Sequence, residues 1–263
     1  MKAAVIQLNA QQDKAKNVAH AVERVRQAIA AKAKLILLPE VFNYRGPLGE
    51  VLNAIAEGIP GESTTPFLEL AKKHKVYILA GSVYEKSKNR NKVYNTSVLI
   101  DEKGQIAAKY RKINLFEATI GEKTISEKKY FLAGTKESTA TVQDFQVGLT
   151  ICYDLRFPEV YRQYSAGGCH ILTAPSSFTK KTGQAHWEVL IRARAIENLC
   201  YVLAPNQIGR DWRGVETYGN SLIVSPWGEI LARGSGNREE VLYAELHRED
   251  IFRAQKVLPQ VRG

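Results

Sequence analysis

The strongest indication of the fold is in the stretch of residues 3–40, AAVIQLNAQQDKAKNVAHAVERVRQAIAAKAKLILLPE. Its two ends, AAVIQL and KLILLPE, are continuous apolar runs, and between them Val18, Val22, Val25 and Ile29 recur at helical spacing. Strands that are apolar on both faces are typical of a sheet covered by helices. The stretch therefore predicts a strand, a helix and a second strand joined as a βαβ unit.

The rest of the chain contains more strand patterns than helix patterns. A helix is predicted through FLELAKKH, with Thr65 as its cap and Pro66 at its first position. NTSVLID and QIAAKYRK are predicted to form a hairpin, and further helices are predicted in PEVYRQYSA, with Pro158 in its first turn, and in HWEVLIRARAIENL. About four helices and about a dozen strands are too many strands for one doubly wound sheet of this length. We therefore predict an α/β fold in which two sheets pack face to face with helices outside both.

Length, composition and charge indicate one soluble domain. The 263 residues show no internal repeat and no compositional seam, so a single domain over residues 1–263 is expected. No apolar run approaches the ~18 residues of a membrane span and no signal peptide is recognisable, so we expect a cytoplasmic protein with no membrane partner. The net charge of +10 comes from scattered basic groups rather than one stripe, which argues against a nucleic-acid partner.

Three polar residues come directly after predicted strands. Glu40 follows LILLP, Lys112 follows IAAKYR and Cys152 follows GLTI. Ligands of α/β sheets bind at the carboxyl ends of the strands, so the three side chains are expected to meet in one pocket. A thiol needs a base to become a nucleophile, and acyl transfer needs a positive group where the carbonyl oxygen gains charge. The pattern predicts Glu40 as base, Cys152 as nucleophile and Lys112 as the oxyanion group.

Other reactive residues have plainer interpretations. A lone carboxylate or lysine is more often a surface charge, and Cys169 and Cys200, each opening an apolar run, are expected to be buried core residues. A cysteine–histidine pair would need His170 or His186, and neither follows a predicted strand. No set of His, Asp and Glu has metal-ligand spacing and no phosphate-binding motif is present. Neither a metal nor a nucleotide cofactor is therefore predicted.

The three strand-end motifs, PEVF, YRKINLFE and ICYDLRFPE, resemble the three signatures of the nitrilase superfamily of carbon–nitrogen hydrolases. GQAHWEVLIRARAIEN and YGNSLIVSPWGE are also similar to stretches of that family, so the resemblance covers essentially the whole chain. It implies a four-layer α-β-β-α sandwich, in agreement with the two-sheet prediction. It also implies a Glu-Lys-Cys triad at Glu40, Lys112 and Cys152, with the backbone N–H of Tyr153 as a second oxyanion donor.

Many members of the family carry a second glutamate after the lysine motif. In this chain Glu127, in TISEKKY, aligns best if the loop is one residue short, and Glu122 is the alternative. Members often have histidine two places after the lysine, where this chain has Asn114. These departures concern the details of the pocket and leave the implied triad unchanged.

CYDLRFPE and AHWEVLIRARAIE look most like the branch that contains deaminated glutathione amidase and the ω-amidases, which act on amides of 2-oxo acids. Such substrates carry carboxylates, and Arg156 is placed to pair with one of them, although an ion pair with Glu159 is an equal alternative. Tyr44, Phe178 and Trp187 are candidates for lining the pocket, since aromatic residues serve both packing and recognition.

Two other functions remain open from the sequence. An N-carbamoyl amidohydrolase would keep the same fold and mechanism with another substrate. A basic binding protein without catalysis would use the net charge instead, and it leaves the three strand-end residues unexplained. The family is usually oligomeric, so we also expect a homodimer or a higher homo-oligomer.

Overall fold

A computed structural model of the chain describes residues 1–49, 52–120 and 123–259. The helices of this part are α1 (Lys14–Ala30), α2 (Leu52–Ile55), α3 (Thr65–His74), α4 (Pro158–Ala166), α5 (Lys180–Asn198) and α6 (Arg248–Val257). The strands are β1 (Lys2–Gln7), β2 (Leu35–Leu37), β3 (Tyr77–Glu85), β4 (Tyr94–Ile100), β5 (Ile106–Arg111), β6 (Glu117–Ile120), β7 (Lys123–Ser126), β8 (Thr139–Val142), β9 (Phe145–Leu149), β10 (Ile171–Thr173), β11 (Tyr201–Ala204), β12 (Ile208–Arg210), β13 (Glu216–Tyr218), β14 (Leu222–Val224), β15 (Ile230–Arg233) and β16 (Glu240–Glu245).

The strands form two six-stranded sheets and two short hairpins. The first sheet has the order β16-β1-β2-β3-β4-β5 and the second has the order β15-β14-β11-β10-β9-β8. In the first, β1, β2 and β3 run parallel, and β5 runs in the same direction because two antiparallel pairings separate it from β3. In the second, β9, β10 and β11 run parallel. The predicted βαβ unit and the β4–β5 hairpin are both confirmed.

Alternate residues of the first sheet face two different apolar clusters. Ala4, Ile6 and Ile36 pack with the buried faces of α1 and α3, whereas Ala3 and Val5 face the second sheet. This alternation arises because successive side chains of a strand point to opposite faces of the sheet. Both β1 and β2 are therefore apolar on both faces, as the sequence indicated.

Helices cover the outer face of the second sheet as well. Helix α5 contacts β11 and β14, and α4 packs against α5, with Tyr161, Trp187 and Ile191 buried beneath them. The layers run helix, sheet, sheet, helix, which confirms the predicted four-layer α-β-β-α sandwich in a single domain.

The structure corrects two details of the sequence prediction. Helix α3 begins at Thr65, and its N-cap is Thr64 rather than Thr65. The Thr64 hydroxyl makes no cap hydrogen bond and instead accepts from the Gly61 N–H of the preceding turn at 2.9 Å. The count of about four helices omits the four-residue α2 and the polar α6, in which only Ile251 and Ala254 are buried. Among the described residues, no helix is long and apolar enough to cross a membrane.

Candidate active site

Lys112, directly after β5, lies between two carboxylates. Its ammonium is 2.9 Å from Glu40 Oε1 and 3.0 Å from the Glu127 carboxylate, and the side chain is only 1% exposed. Glu40 follows β2, and Glu127 opens a single 3-10 turn after β7. Because β2 and β5 run in the same direction, their carboxyl ends meet at one edge of the first sheet. Two of the three predicted strand-end residues therefore form one buried ion pair.

Asn95 fixes the orientation of the Glu40 carboxylate. Its side-chain amide donates to Glu40 Oε1 at 2.9 Å, the same oxygen that accepts from Lys112, and its backbone carbonyl accepts from Lys112 N–H at 2.9 Å. The Asn95 amide and the Lys112 ammonium both contact Oε1 of Glu40, so Oε2 is the oxygen placed to exchange a proton with a neighbouring group. The sequence analysis did not single out Asn95, because an asparagine inside a strand carries no local signal of function.

Glycines let the backbone reach these positions. A Cβ atom on Gly81 of β3 would lie 2.0 Å from the carbonyl oxygen of Pro39, and one on Gly134 would lie 2.1 Å from that of Arg111. Each carbonyl belongs to the residue before a charged group of the site, Glu40 or Lys112. Any side chain larger than hydrogen would therefore push that group away from its partner.

Cys152 begins a 3-10 turn, residues Cys152–Arg156, that directly follows the end of β9 and Ile151. Its φ of 47° lies in the left-handed region, which costs an ordinary residue energy and persists only where the surroundings enforce it. The Cys152 N–H donates to the Pro175 carbonyl at 3.0 Å, and the Ser177 N–H bonds to the Cys152 thiol. Cys152 is thus held by the segment after β10, the neighbouring parallel strand.

The charged groups of the site shift one another's pKa values. Burial, followed by the nearby Glu40 carboxylate, raises the pKa of the Cys152 thiol well above its usual value, while Lys112 and the Ser177 N–H oppose this rise. Burial also raises the pKa of Glu127 against the opposing charge of Lys112. For Lys112, burial lowers the pKa, but Glu127 and Glu40 outweigh burial and raise it. The raised pKa values keep the Cys152 thiol protonated and the Lys112 ammonium charged.

Arg156 ends the same 3-10 turn and lies against aromatic rings. Its guanidinium is 5.7 Å from the ring centre of Tyr153 and 5.5 Å from that of Phe178, and its terminal nitrogens are 3.3 Å from His186 Nδ1. The ion pair with Glu159 that the sequence left open is not formed, and no other described carboxylate lies within salt-bridge distance of Arg156. Phe178 follows Ser177, so this guanidinium is close to the segment that holds the nucleophile.

The remaining predicted residues occupy different surroundings. Trp187 is 1% exposed, and its indole N–H donates to the Asn220 carbonyl at 2.7 Å, so it lies inside the main core and contacts the site region through Phe178. Tyr44 is buried in a separate apolar cluster, where its hydroxyl donates to the Pro47 carbonyl at 3.0 Å. Glu122, the alternative second glutamate, lies outside the described residues.

The arrangement has the parts needed for acyl transfer. It contains a thiol, a carboxylate that can accept its proton, and an ammonium that can face a developing oxyanion. The Tyr153 N–H lies in the first turn after Cys152, where amides have no partner within a helix, and can face the same point. In the part of the chain that the structure describes, no group of three or more His, Cys, Asp or Glu side chains could hold a metal ion.

Comparison with known proteins identifies the family. The sequence model of the carbon-nitrogen hydrolase family matches residues 2–256. The chain is 38% identical to omega-amidase NIT2 of Homo sapiens over 98% of this chain and 93% of the relative. It is 36% identical to the deaminated glutathione amidase of Synechocystis sp. over 99% of this chain and 96% of the relative.

Solved structures agree with this assignment. Nit3 of Saccharomyces cerevisiae, a member of branch 10 of the nitrilase superfamily, superimposes with a TM-score of 0.88 at 30% identity and covers 99% of this chain and 95% of its own. The Caenorhabditis elegans NitFhit protein gives a TM-score of 0.91 at 33% identity over 98% of this chain, which spans 63% of that longer protein. This chain belongs to the carbon–nitrogen hydrolase family.

Proposed function

We propose that the protein is a cysteine-dependent amidase that releases ammonia from a small anionic amide, with deaminated glutathione as its substrate. The observation that carries the proposal is the buried Glu40–Lys112–Glu127 group beside Cys152 on its strained turn. The names of the relatives, deaminated glutathione amidase and omega-amidase, support an amide of a 2-oxo acid.

In the first half of the reaction, Glu40 accepts the thiol proton as the Cys152 sulfur attacks the amide carbonyl carbon. The carbonyl oxygen becomes an oxyanion that faces Lys112 Nζ and the Tyr153 N–H. The C–N bond then breaks, Glu40 returns the proton to the leaving nitrogen, and ammonia departs from a thioester on Cys152.

In the second half, Glu40 removes a proton from a water molecule that attacks the thioester carbonyl. The second tetrahedral intermediate collapses with cleavage of the C–S bond, and the sulfur recovers a proton from Glu40. The products are a carboxylic acid and the free thiol. Glu127 has no proton to carry in this scheme; it keeps Lys112 charged and in place.

Arg156 is proposed to bind the carboxylate of the substrate. Its charge has no carboxylate partner among the described residues. A guanidinium has five N–H donors, and His186 Nδ1, 3.3 Å from both terminal nitrogens, can accept from one of them, so donors remain for a carboxylate. Lys180, at the start of α5, is a weaker candidate for this role because it pairs with Glu216 at 3.0 Å.

Ammonia release from deaminated glutathione, 2-oxoglutaramate and N-carbamoyl compounds tests the proposal. We expect release from a 2-oxo acid amide by the native protein and no release by Cys152→Ala, whereas Cys169→Ala, which alters a buried cysteine away from the site, should remain active. Release that survives in Cys152→Ala would overturn the proposal. Carbon dioxide together with ammonia would assign the N-carbamoyl reaction instead, and an unreactive Cys152 with salt-dependent binding of a polyanion would assign a binding protein.

The role of Arg156 is tested with a matched pair of variants. Arg156→Gln should raise KM for the anionic amide by about 100-fold, since a charge-assisted contact of up to about 3 kcal/mol is lost. It should leave a neutral amide almost unchanged. Arg162→Gln, an exposed arginine of α4, is the control and should match the native protein for both substrates. An equal rise in KM for both amides would show that Arg156 does not bind the carboxylate of the substrate.

We also propose that the enzyme is a cytoplasmic homo-oligomer. Apolar side chains that are half exposed in the single chain, Trp227, Val257 and Leu258, support an additional covered surface near α6. Free thiols at all three cysteines fit a reducing compartment. Light scattering coupled to gel filtration would measure the mass, and a strictly monomeric result would contradict the assembly.

A further inference from the structure

We propose that Asp154, two residues after the nucleophile, is a positioning residue. It holds the turn that contains Cys152 in a fixed position relative to the end of β5, where Lys112 lies. The inference rests on the proposed amidase function, in which Cys152 attacks the carbonyl and Lys112 faces the oxyanion. Nothing in the sequence pattern assigns Asp154 a role, since an aspartate in a short turn is most often a local cap.

On the side of the nucleophile, Asp154 closes the turn that contains Cys152. Its Oδ2 accepts from the Ile151 N–H at 2.9 Å, and its own N–H donates to the Ile151 carbonyl at 3.1 Å. These two bonds enclose Cys152, whose φ of 47° is unfavourable for an L residue. The side chain of Asp154 therefore helps to enforce the backbone conformation that presents the thiol.

On the side of the oxyanion group, the same carboxylate contacts both flanks of Lys112. The Tyr110 hydroxyl donates to Oδ2 at 2.8 Å, while Asn114 donates to Oδ1 through its backbone N–H at 2.9 Å and through its side-chain amide at 3.0 Å. Tyr110 and Asn114 are each two residues from Lys112. One carboxylate thus joins the end of β5 in the first sheet to the turn after β9 in the second.

The hydrogen bonds of Asp154 indicate a positioning role rather than a catalytic one. A carboxylate offers about four acceptor sites, and four donors reach this one. The side chain is 0% exposed, and burial raises its pKa against the opposing effect of those donors. With its acceptor sites occupied, Asp154 has no oxygen left for the substrate, so it acts through the residues that it holds.

Only a carboxylate suits this position. An asparagine would turn an NH₂ group toward the N–H of Ile151 or of Asn114, and one buried donor would then face another. The junction matters because the oxyanion site takes one donor from each sheet, Lys112 and the Tyr153 N–H. A misplacement of about 1 Å between groups that must act together lowers rates by about 100-fold.

Three variants weaken this link to different extents. Asp154→Asn disturbs both sides, Tyr110→Phe removes one donor from Oδ2, and Asn114→Ala removes one donor from Oδ1. Tyr201→Phe is the matched control: it also removes a buried tyrosine hydroxyl that donates to an aspartate, Asp250 at 2.5 Å, but at the opposite end of the second sheet.

The measurements are kcat and KM for ammonia release, and the rate of alkylation of Cys152 by iodoacetamide between pH 5 and 10. We expect kcat to fall by about 100-fold in Asp154→Asn and by about tenfold in Tyr110→Phe and in Asn114→Ala, with KM within about threefold of native. Tyr201→Phe should keep kcat within about twofold. The pH profile of alkylation should shift in Asp154→Asn, Tyr110→Phe and Asn114→Ala and remain native in Tyr201→Phe.

A native kcat and a native alkylation profile in both Tyr110→Phe and Asn114→Ala would overturn the proposal. These milder variants decide the question even if Asp154→Asn does not fold. If the native protein hydrolyses no amide, the proposed function fails on its own, and the alkylation profiles, which need no substrate, still decide whether Asp154 positions Cys152.

Discussion

The two sheet edges that meet at the site are held in different ways. At the first edge, charged side chains make the contacts: Lys112 pairs with Glu40 and Glu127, and Glu85 pairs with Lys109 and Arg111 beside them. At the second edge, backbone groups dominate: Cys152 N–H donates to the Pro175 carbonyl and the Ser177 N–H bonds to the thiol. Asp154 is the side chain that joins the two.

This difference follows from what each group must do. Lys112 has to stay charged in an apolar interior, which requires nearby carboxylates to offset the cost of burial. Burial raises the pKa of the Cys152 thiol and keeps it neutral, and the residue is oriented by uncharged backbone contacts and by its own strained turn. Changes of charge and pH should therefore affect activity and stability mainly through the first edge. Changes of backbone geometry should act mainly through the second.

The largest effect is expected from Glu40→Gln. The glutamine can still accept from Lys112 through its oxygen, so the fold should survive, but it cannot take the thiol proton. We expect kcat for ammonia release to fall by about 1,000-fold. Glu239→Gln, which alters a half-buried carboxylate that pairs with His20 and Arg24, is the control and should stay near native activity. Comparable losses in the two variants would contradict a proton-transfer role for Glu40.

Lys112→Met should damage both activity and stability. It removes the oxyanion group, which lowers kcat by about 100- to 1,000-fold. It also leaves Glu40 and Glu127 without their buried partner, at a cost of about 3–5 kcal/mol in the free energy of unfolding. Urea titration would measure that cost.

The matched control for Lys112→Met is Lys109→Met, three residues earlier. Lys109 is 39% exposed, and its partner Glu85 keeps Arg111, so a loss below about 1 kcal/mol is expected. Equal destabilisation by the two substitutions would show that charge pairing does not distinguish the buried edge.

Glu85→Gln should expose the pH dependence of the first edge. Although burial raises the pKa of Glu85, hydrogen bonds from Arg111, Lys109 and Thr96 outweigh it and lower the pKa to about 2. A lowered folded-state pKa stabilises the protein above the unfolded-state value near 4.5, and this stabilisation disappears as the pH falls toward 2.

The native protein should therefore exceed Glu85→Gln by about 2–3 kcal/mol at pH 7, and the difference should shrink below about pH 4.5. Glu127 acts in the opposite direction, since its raised pKa lowers stability as the pH rises through the window above its unfolded value. Denaturant titrations from pH 2.5 to 7 would measure both trends. A difference between native and variant that does not change with pH would contradict the ion-pair origin.

The smallest effect is expected from Gly81→Ala, which tests whether backbone geometry also matters at the first edge. The added Cβ meets the Pro39 carbonyl, so we expect a loss of about 2 kcal/mol in stability and about a tenfold lower kcat as Glu40 moves. Gly58→Ala, where the nearest atom lies 3.8 Å from the new Cβ, is the control. Native behaviour of Gly81→Ala would show that charge alone positions Glu40.

Much of the architecture could be predicted because it depends on local patterns. Apolar runs at both ends of residues 3–40 predicted buried strands, and the excess of strands over helices predicted two sheets. The short α2 and the polar α6 were omitted, because four residues show no periodicity and α6 buries only two side chains. The cap at Thr64 was misplaced by one residue, since either of two adjacent threonines fits a capping pattern.

The site was partly predictable for a related reason. Strand-end position predicted that Glu40, Lys112 and Cys152 would share a pocket, and the structure brings them together at the facing sheet edges. Asn95, Gly81 and Asp154 could not be predicted, because the residues they contact at the site, Glu40, Pro39 and Tyr110 respectively, lie 42 to 55 residues away in the chain. Trp187 is buried inside the core, where an aromatic residue on a helix has the same sequence pattern as one that lines a pocket.

The family, the strand-and-helix order and the chemical types available at the site follow from the sequence alone, because they depend on residue identity and short-range spacing. How those groups are held depends on tertiary contacts: which oxygen of Glu40 is occupied, that Arg156 has no carboxylate partner in the described part of the chain, and that Asp154 links the two sheets. Those facts depend on contacts between segments that are far apart in the chain, within the first sheet for Glu40 and between the two sheets for Asp154. Their distances are set by how the strands pair and how the two sheets pack, which no single stretch of sequence encodes.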